Sequence, residues 1–175
     1  FFGMFFSNPI SVFAPAEPET IGLETDEFQE LFFEALKQKG IENYDRAIVA
    51  LEKCLKLQPE NANVYNELGK NYLKLKKDKD AYDSFEKATK IDPKNKWFWH
   101  GMYDVCYQTQ DYNQSIIIVT KLIEFDAGYK EDLVSLYMYT QQFDKALALI
   151  NELNENVGKS EKRNNYKLQI LQTAK

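Results

Sequence analysis

Residues 62–95 read ANVYNELGKNYLKLKKDKDAYDSFEKATKIDPKN, and this stretch decides the fold. Its last five residues are Ile91-Asp92-Pro93-Lys94-Asn95. They are similar to Leu57-Gln58-Pro59-Glu60-Asn61, which lie 34 residues earlier. Other apolar positions recur at the same lag: Leu51, Phe85 and Val119, and likewise Cys54, Ala88 and Leu122. The chain is therefore built from a repeated unit.

A fourth copy follows the third at a shorter lag of 31 residues. Small residues mark the same position in all four copies: Ala47, Ala81, Ser115 and Ala146. Ile150 and Leu153 continue the two apolar positions of the first three copies. Four copies in register predict four equivalent structural units.

The residue types within one unit predict a pair of packed helices. Gly69 suits a point where two helix backbones approach closely. Pro93 follows the second helix, because proline cannot continue a helix interior. Asn61 and Asn95, two residues after each proline, are good N-caps for the next helix.

This pattern resembles the tetratricopeptide repeat. The residues that carry the resemblance are Tyr65, Leu68, Gly69, Tyr72, Ala81, Phe85, Ala88 and Pro93. It implies an all-α, right-handed α-solenoid of stacked antiparallel helix pairs. We predict four repeats at 26–61, 62–95, 96–126 and 127–158. Residues 159–175, with Ser160 as N-cap, form either a capping helix or the first helix of a further repeat.

The other copies depart from the family pattern at single positions. In repeat one, the turn over residues 40–43 is interpreted as two residues longer than usual, and Phe33 replaces the close-packing glycine. In repeat three, Tyr103 occupies that glycine position. In repeat two, Asp78 replaces the aromatic residue of the turn. We expect these changes to alter local packing angles and to leave the fold unchanged.

The N-terminal residues suggest export. Residues 1–14 combine a short apolar run with Val12-Phe13-Ala14, a small-x-small pattern typical of the end of a secretory signal peptide. We interpret them as a signal-peptide remnant, residues 15–25 as a linker, and the chain as a fragment. The expected location is periplasmic or envelope-associated. The alternatives are an apolar arm that packs on the solenoid, and a cytoplasmic protein.

Charge argues against nucleic acid as a partner. The formal net charge is −5, and no basic stripe is present to displace counterions. One small basic cluster is interpreted as a solvated helix face: Lys159, Lys162, Arg163 and Lys167. The apolar run at the N-terminus is too short for a transmembrane helix.

The two cysteines and the one histidine predict neither a disulfide nor a metal site. Cys54 and Cys106 lie in repeats one and three, too far apart for the separation of about 7 Å that a disulfide requires. We expect two buried free thiols. His100 has Asp104 one turn away as its one convincing companion, so a hydrogen-bonded pair is favoured over a metal ligand set.

The family resemblance implies that the first helices line a concave groove for a peptide or a partner protein. The candidate groove residues are Glu30 and Glu34, Asn66 and Lys70, Trp97, His100, Asp104 and Tyr107, and Glu131. Aromatic residues of this kind dominate binding hot spots, although Trp97 could instead simply pack at a helix start. Ile117 is a candidate contact on the convex face.

Glu30 and Glu34 bear on one subclass of the family. That subclass binds a C-terminal carboxylate through Lys and Asn at groove positions assigned here to these two glutamates. Acidic side chains would repel a carboxylate, so we expect a different ligand. The acidic end of the groove would suit a basic segment.

The sequence favours a scaffold over an enzyme. It contains no Gly-rich phosphate loop, Gly-x-Ser-x-Gly elbow, His-Glu-x-x-His helix or Cys-x-x-Cys pair. We expect a non-catalytic protein-interaction scaffold with no cofactor and no small-molecule substrate. The alternatives are a structural subunit of an envelope or secretion assembly, and the regulatory repeats of a longer enzyme or signalling protein.

Overall fold

The computed structural model describes the backbone of residues 18–174 and the side chains of residues 26–174. This part of the chain is an all-α repeat solenoid. Its helices are α1 (Pro18–Gly40), α2 (Tyr44–Leu57), α3 (Ala62–Lys74), α4 (Asp78–Ile91), α5 (Lys96–Gln108), α6 (Tyr112–Leu122), α7 (Tyr129–Tyr139), α8 (Phe143–Asn156) and α9 (Glu161–Thr173). Odd-numbered helices up to α7 are the first helices of the repeats, and even-numbered helices are the second.

The second helices supply the repeated core. The small residues Ala47, Ala81, Ser115 and Ala146 are fully buried, as their common position predicts. The larger residues of the same register, Leu51, Phe85, Val119 and Ile150, are buried as well. Burial of these side chains drives the stacking of one repeat on the next, because each pair of helices buries too little apolar surface alone.

The turn between the two helices is the same in all four repeats. Its last residue donates a backbone hydrogen bond to the carbonyl five residues earlier: Asn43 to Gln38, Lys77 to Tyr72, Asp111 to Cys106 and Gln142 to Tyr137. The preceding residue adopts a positive φ near 60° in each: Glu42, Lys76, Gln110 and Gln141. The longer turn predicted for repeat one is therefore wrong.

This alignment also moves the close-packing position of repeat one. The residue that corresponds to Gly69 at the lag of 34 is Ala35, which is buried, whereas Phe33 is 66% exposed. The prediction that Phe33 replaces the glycine is wrong, because it followed from the misjudged turn. A small residue occupies the close contact in repeat one, as it does in repeat two.

Phe85 shows why glycine is needed on the neighbouring helices. A Cβ atom added at Gly69 of α3 would lie 2.7 Å from the Phe85 ring, and one added at Gly101 of α5 would also collide with that ring. The ring of α4 therefore lies between two glycines on successive first helices. This packing brings α3 and α5 into contact along the inner layer of the solenoid.

The first two connections between repeats are fixed by asparagine caps and by aromatic side chains. The side chain of Asn61 accepts hydrogen bonds from the backbone of Asn63 and Val64, and Asn95 caps α5 in the same way, as predicted. One turn into each helix, an aromatic group donates back to the preceding proline carbonyl. These bonds join Tyr65 to Pro59 and Trp99 to Pro93.

The N-terminal boundary differs from the prediction. α1 begins at Pro18, so residues 18–25 have helical backbone and are not a linker. The residues interpreted as a signal-peptide remnant, 1–14, lie outside the described part, and export stays a prediction. Within the described residues, no helix combines the length and apolar character that crossing a membrane requires.

Cys54 and Cys106 are both buried free thiols, which confirms that prediction. Burial raises the pKa of both, that of Cys106 to about 11. The folded protein therefore holds both sulfurs as neutral thiols at physiological pH.

Candidate functional site

One face of α5 carries the predicted groove side chains. Trp97, His100, Asp104 and Tyr107 follow one another in steps of three or four residues, so they lie on one side of the helix. Trp97 is 62% exposed and Tyr107 is 55% exposed, whereas His100 between them is half-buried. The helix thus presents two large aromatic groups to solvent.

His100 is held by groups on both ring nitrogens. Its Nε2 lies 3.3 Å from Asp104 Oδ1, so the two side chains are in contact as predicted, whereas the hydrogen bond between them stays a prediction. Its Nδ1 lies 2.7 Å from the hydroxyl of Tyr129, at the start of α7. The contact with Tyr129 is a hydrogen bond whose donor depends on the tautomer of the imidazole. The imidazole therefore links the first helices of repeats three and four.

Ring contacts extend from His100 along α5. Trp97 and Tyr103 both meet the imidazole edge to face, with ring centroids 5.9 Å away in each case. Tyr103 in turn lies 6.2 Å from Tyr107. Such edge-to-face pairs each contribute about 0.5–1.5 kcal/mol beyond the area they bury. The exposed aromatic groups thus stand on a fixed base of rings.

Tyr103 points its hydroxyl towards the groove although its ring is buried. The hydroxyl donates a 2.8 Å hydrogen bond to Asp132 Oδ2 of α7. Burial, together with this hydrogen bond to a carboxylate, raises the pKa of Tyr103, so the hydroxyl remains a donor throughout the physiological range. Asp132 is thereby held in one position.

Two cavities adjoin at Asp104. The larger, of about 320 Å³, lies between α5 and α7 and is lined by Tyr103, Asp104, Tyr107, Glu131, Asp132, Ser135, Leu136, Tyr139 and Lys162. The smaller, of about 150 Å³, lies between α3 and α5 and is lined by Asn66, Lys70, Phe85, Trp97, His100, Gly101 and Asp104. Burial raises the pKa of the Asp104 carboxyl, and the His100 charge opposes that shift.

The cavities show which predicted residues come together. The smaller cavity unites Asn66 and Lys70 with Trp97, His100 and Asp104, and the larger adds Tyr107 and Glu131. Lys70 also pairs with Glu67 at 3.1 Å. Seven of the predicted groove residues therefore line two adjoining cavities along α3, α5 and α7, which together we name the groove.

Glu30 and Glu34 do not belong to this groove. With the turns aligned, they correspond to Val64 and Leu68 of α3. Val64 and Leu68 are buried in a cluster with residues of α2, the second helix of the preceding repeat. Glu30 and Glu34 are exposed and lie on the equivalent face of α1. Their assignment to the groove is wrong because the helix was placed two residues out of register.

Arg163 corrects a second interpretation. It was assigned to a solvated basic face, yet only 4% of it is exposed. Its Nε donates to Glu131 Oε1 at 3.1 Å, and its Nη1 donates to Asn154 Oδ1. An arginine is buried in this way only when its donors find partners. Arg163 therefore ties α9 to α7 and α8.

Sequence reasoning missed the groove residues of α7 and α9. Tyr129, Asp132 and Tyr139 come from α7, and Lys162 comes from α9. The lag of 31 residues aligns Tyr129 with the buried Phe98 of α5, so the sequence pattern carries no signal for its contact with His100. On the opposite layer, Ile117 of α6 is 62% exposed, consistent with a position on the outer surface.

Comparison with known families identifies the repeats. The tetratricopeptide repeat model matches residues 62–95, and a second model of the same family matches residues 38–61. The chain is a tetratricopeptide repeat protein. This family fold is a non-catalytic protein-interaction fold, and the described helices form its helical repeat solenoid.

Two curated proteins, both much longer than this chain, are similar to it over part of their length. An N-terminal acetyltransferase A complex subunit-like protein of Schizosaccharomyces pombe is 27% identical over 116 residues, which cover 61% of this chain and 17% of the relative. DnaJ homolog subfamily C member 3 of Gallus gallus is 25% identical over 136 residues, which cover 78% of this chain and 27% of the relative. This chain thus spans about a quarter or less of either relative.

Solved structures share the fold. A crystal structure of MamA has a TM-score of 0.65 at 18% identity, with 85% of this chain and 92% of that chain covered. YrrB, described as a TPR protein with an unusual peptide-binding site, has a TM-score of 0.62 at 19% identity, with 81% and 75% covered. These likenesses concern the fold of the helical solenoid.

Proposed function

We propose that this protein is a non-catalytic scaffold that binds a peptide segment of a partner protein in the groove along α3, α5 and α7. The observation that carries the proposal is the pair of exposed aromatic side chains, Trp97 and Tyr107, on a base of interlocked rings. Large aromatic groups that are already fixed lose little entropy on binding, and they dominate hot spots.

The shape of the groove supports a chain-like occupant. Two shallow cavities that meet at Asp104 follow the line of the first helices and do not form one deep enclosed pocket. Peptide recognition by a structural neighbour, YrrB, adds support by analogy. An extended segment could place side chains in both cavities.

In repeat one, the face of α1 equivalent to the groove face of α3 does not suit a free C-terminal carboxylate. With the turns aligned, Phe32 and Leu36 correspond to Asn66 and Lys70. Neither apolar side chain can donate a hydrogen bond or supply a positive charge. Phe32 and Leu36, and not Glu30 and Glu34, therefore disfavour a carboxylate ligand at repeat one.

A random 12-residue peptide library displayed on phage, selected against the full chain, tests the proposal. Peptides that bind are synthesised, and their affinities are measured for the parent protein and for the double variant Trp97→Ala, Tyr107→Ala. We expect at least a tenfold loss, because truncation of a hot-spot residue costs about 2 kcal/mol or more.

Ile117→Ala is the matched control, because Ile117 is as exposed as Trp97 but lies on the opposite layer. It should leave the affinity within about twofold. Equal binding to the parent and the double variant would remove the groove from the proposal. Loss of binding in the Ile117 variant alone would move the binding surface to the convex face.

A further inference from the structure

The larger cavity, between α5 and α7, has walls suited to one kind of side chain. Its volume of about 320 Å³ is near the lower end of the range of about 300–1,000 Å³ for ligand pockets. It opens onto the groove beside Tyr107. A cavity of this size and position suits a single long side chain from a bound segment.

Three tyrosines form the aromatic part of the wall. Tyr103 is buried, whereas Tyr107 and Tyr139 are exposed, so their rings are accessible to a ligand. The face of an aromatic ring attracts a cation that lies within about 6 Å of its centre. The aromatic wall thus favours a positively charged, partly apolar group.

Three carboxylates share the same cavity, and each is fixed through one oxygen. Asp104 meets His100 through Oδ1, Asp132 accepts from Tyr103 through Oδ2, and Glu131 accepts from Arg163 through Oε1. In the contacts of the described residues, the second oxygen of each carboxylate has no protein partner. These oxygens can accept hydrogen bonds from a guanidinium or ammonium group.

The net charge of the cavity and the spacing of its acidic side chains indicate which kind of cation it can bind. Against the three carboxylates stand Lys162, whose ammonium lies 5.8 Å from the centre of the Tyr166 ring, and the buried Arg163. Lys162 and Arg163 offset two of the three carboxylates, so the cavity keeps an excess of negative charge while His100, beside Asp104, is neutral. Among the described residues, no three acidic, histidine or cysteine side chains converge closely enough for a metal ion. A cation on a long flexible stem fits better.

We propose that this cavity binds the cationic side chain of an arginine or lysine in the partner segment. The stem of that side chain lies against Tyr107 and Tyr139, and its charged end faces Asp104, Glu131 and Asp132. This proposal rests on the proposed function, since the side chain must arrive on a segment that occupies the groove. The acidic recognition expected at repeat one thus moves to repeats three and four.

The peptides selected from the random library provide the first test. We expect arginine and lysine together to be enriched at least threefold over the unselected library at one fixed position. In a synthetic peptide, replacement of the residue at that position by its neutral analogue, citrulline for arginine or norleucine for lysine, should weaken binding at least tenfold.

Variants of the protein locate the effect in this cavity. Asp132→Asn should reduce the preference for the charged peptide over its neutral analogue to below threefold, and Asp104→Asn should reduce it in part. Tyr103→Phe removes the hydroxyl that positions Asp132 and should lower the same ratio while leaving the affinity for the neutral analogue unchanged. Asp83→Asn, at an exposed carboxylate of α4, is the control and should change neither value.

The outcomes separate the two proposals. If selected peptides need Trp97 and Tyr107 but show no enrichment of basic residues, or bind as tightly with the neutral analogue, the cation site is wrong and the scaffold stands. The same holds if both aspartate variants keep the full preference for charge. If no peptide depends on the groove aromatic residues, the scaffold proposal fails and the cation site fails with it.

Discussion

Repeats two and three carry their large aromatic core side chain on different helices of the pair. In repeat two, the second helix carries the large Phe85 and the first helix carries Gly69, whose missing side chain leaves room for the ring. In repeat three, the equivalent positions hold Val119 on the second helix and Tyr103 on the first, and both are buried in one cluster. The aromatic ring thus lies on the second helix in repeat two and on the first helix in repeat three.

This exchange links the core to the groove. A phenylalanine on α4 ends inside the solenoid, whereas a tyrosine on α5 fills the core with its ring and still brings its hydroxyl to Asp132. Repeat three therefore gains a positioned carboxylate at the groove from a core substitution. A residue that departs from the repeat pattern in the core can thus mark the repeat that carries the binding chemistry.

Phe85→Ala should show the largest effect on stability. Phe85 is fully buried between two glycines, so truncation leaves a cavity that glycine cannot fill. We expect a loss of about 3–5 kcal/mol in the free energy of unfolding, measured by urea denaturation. Val119→Ala, at the equivalent position of repeat three, should cost only about 2 kcal/mol because fewer methyl groups are lost. Equal losses of stability in the two variants would contradict the conclusion that the large side chain lies on the second helix in repeat two and on the first helix in repeat three.

Gly101→Ala should have the next largest effect. The added methyl group would collide with the ring of Phe85, which is itself buried in the core. We expect a loss of about 1–3 kcal/mol, typical of an overpacked core. In the background Phe85→Leu, the smaller side chain should recover part of this loss.

Gly40→Ala is the control for that measurement, because no atom lies within 4 Å of a Cβ atom added there. It should change the free energy of unfolding by no more than about 0.5 kcal/mol. A Gly101→Ala variant as stable as the parent would show that the contact between Phe85 and α5 is not a constraint on the repeat.

The repeat register could be predicted wherever small and large residues alternate at a fixed lag. Ala47, Ala81, Ser115 and Ala146 have little freedom, since a larger side chain would separate the helices. Repeat one misled the prediction because Phe32 and Phe33 are adjacent, and either could be matched to the pattern. Burial decides between them, and burial depends on the neighbouring helix.

The candidate site could be predicted only on a single helix. The face of α5 follows from helical geometry, so Trp97, His100, Asp104 and Tyr107 were found. Contacts between repeats depend on the angle at which helices stack, which a sequence does not give. The bond from His100 to Tyr129 was missed for that reason. Arg163 was misread in the same way, because its burial requires partners on α7 and α8.

The turns of repeats two and three should respond alike to the same substitution, whereas their cores should not. Lys76 and Gln110 occupy the same left-handed position, with φ of 62° and 59°. Side chains in this region are strained by about 1–2 kcal/mol, and glycine avoids the strain at an entropic cost. Lys76→Gly and Gln110→Gly should therefore each raise the free energy of unfolding by about 0.5–1 kcal/mol, and by the same amount within error. The measurement is urea denaturation of both variants. If only one variant is more stable than the parent, the turns also differ between repeats two and three. If both are stabilised equally, the difference between these repeats is confined to Phe85, Val119 and Tyr103.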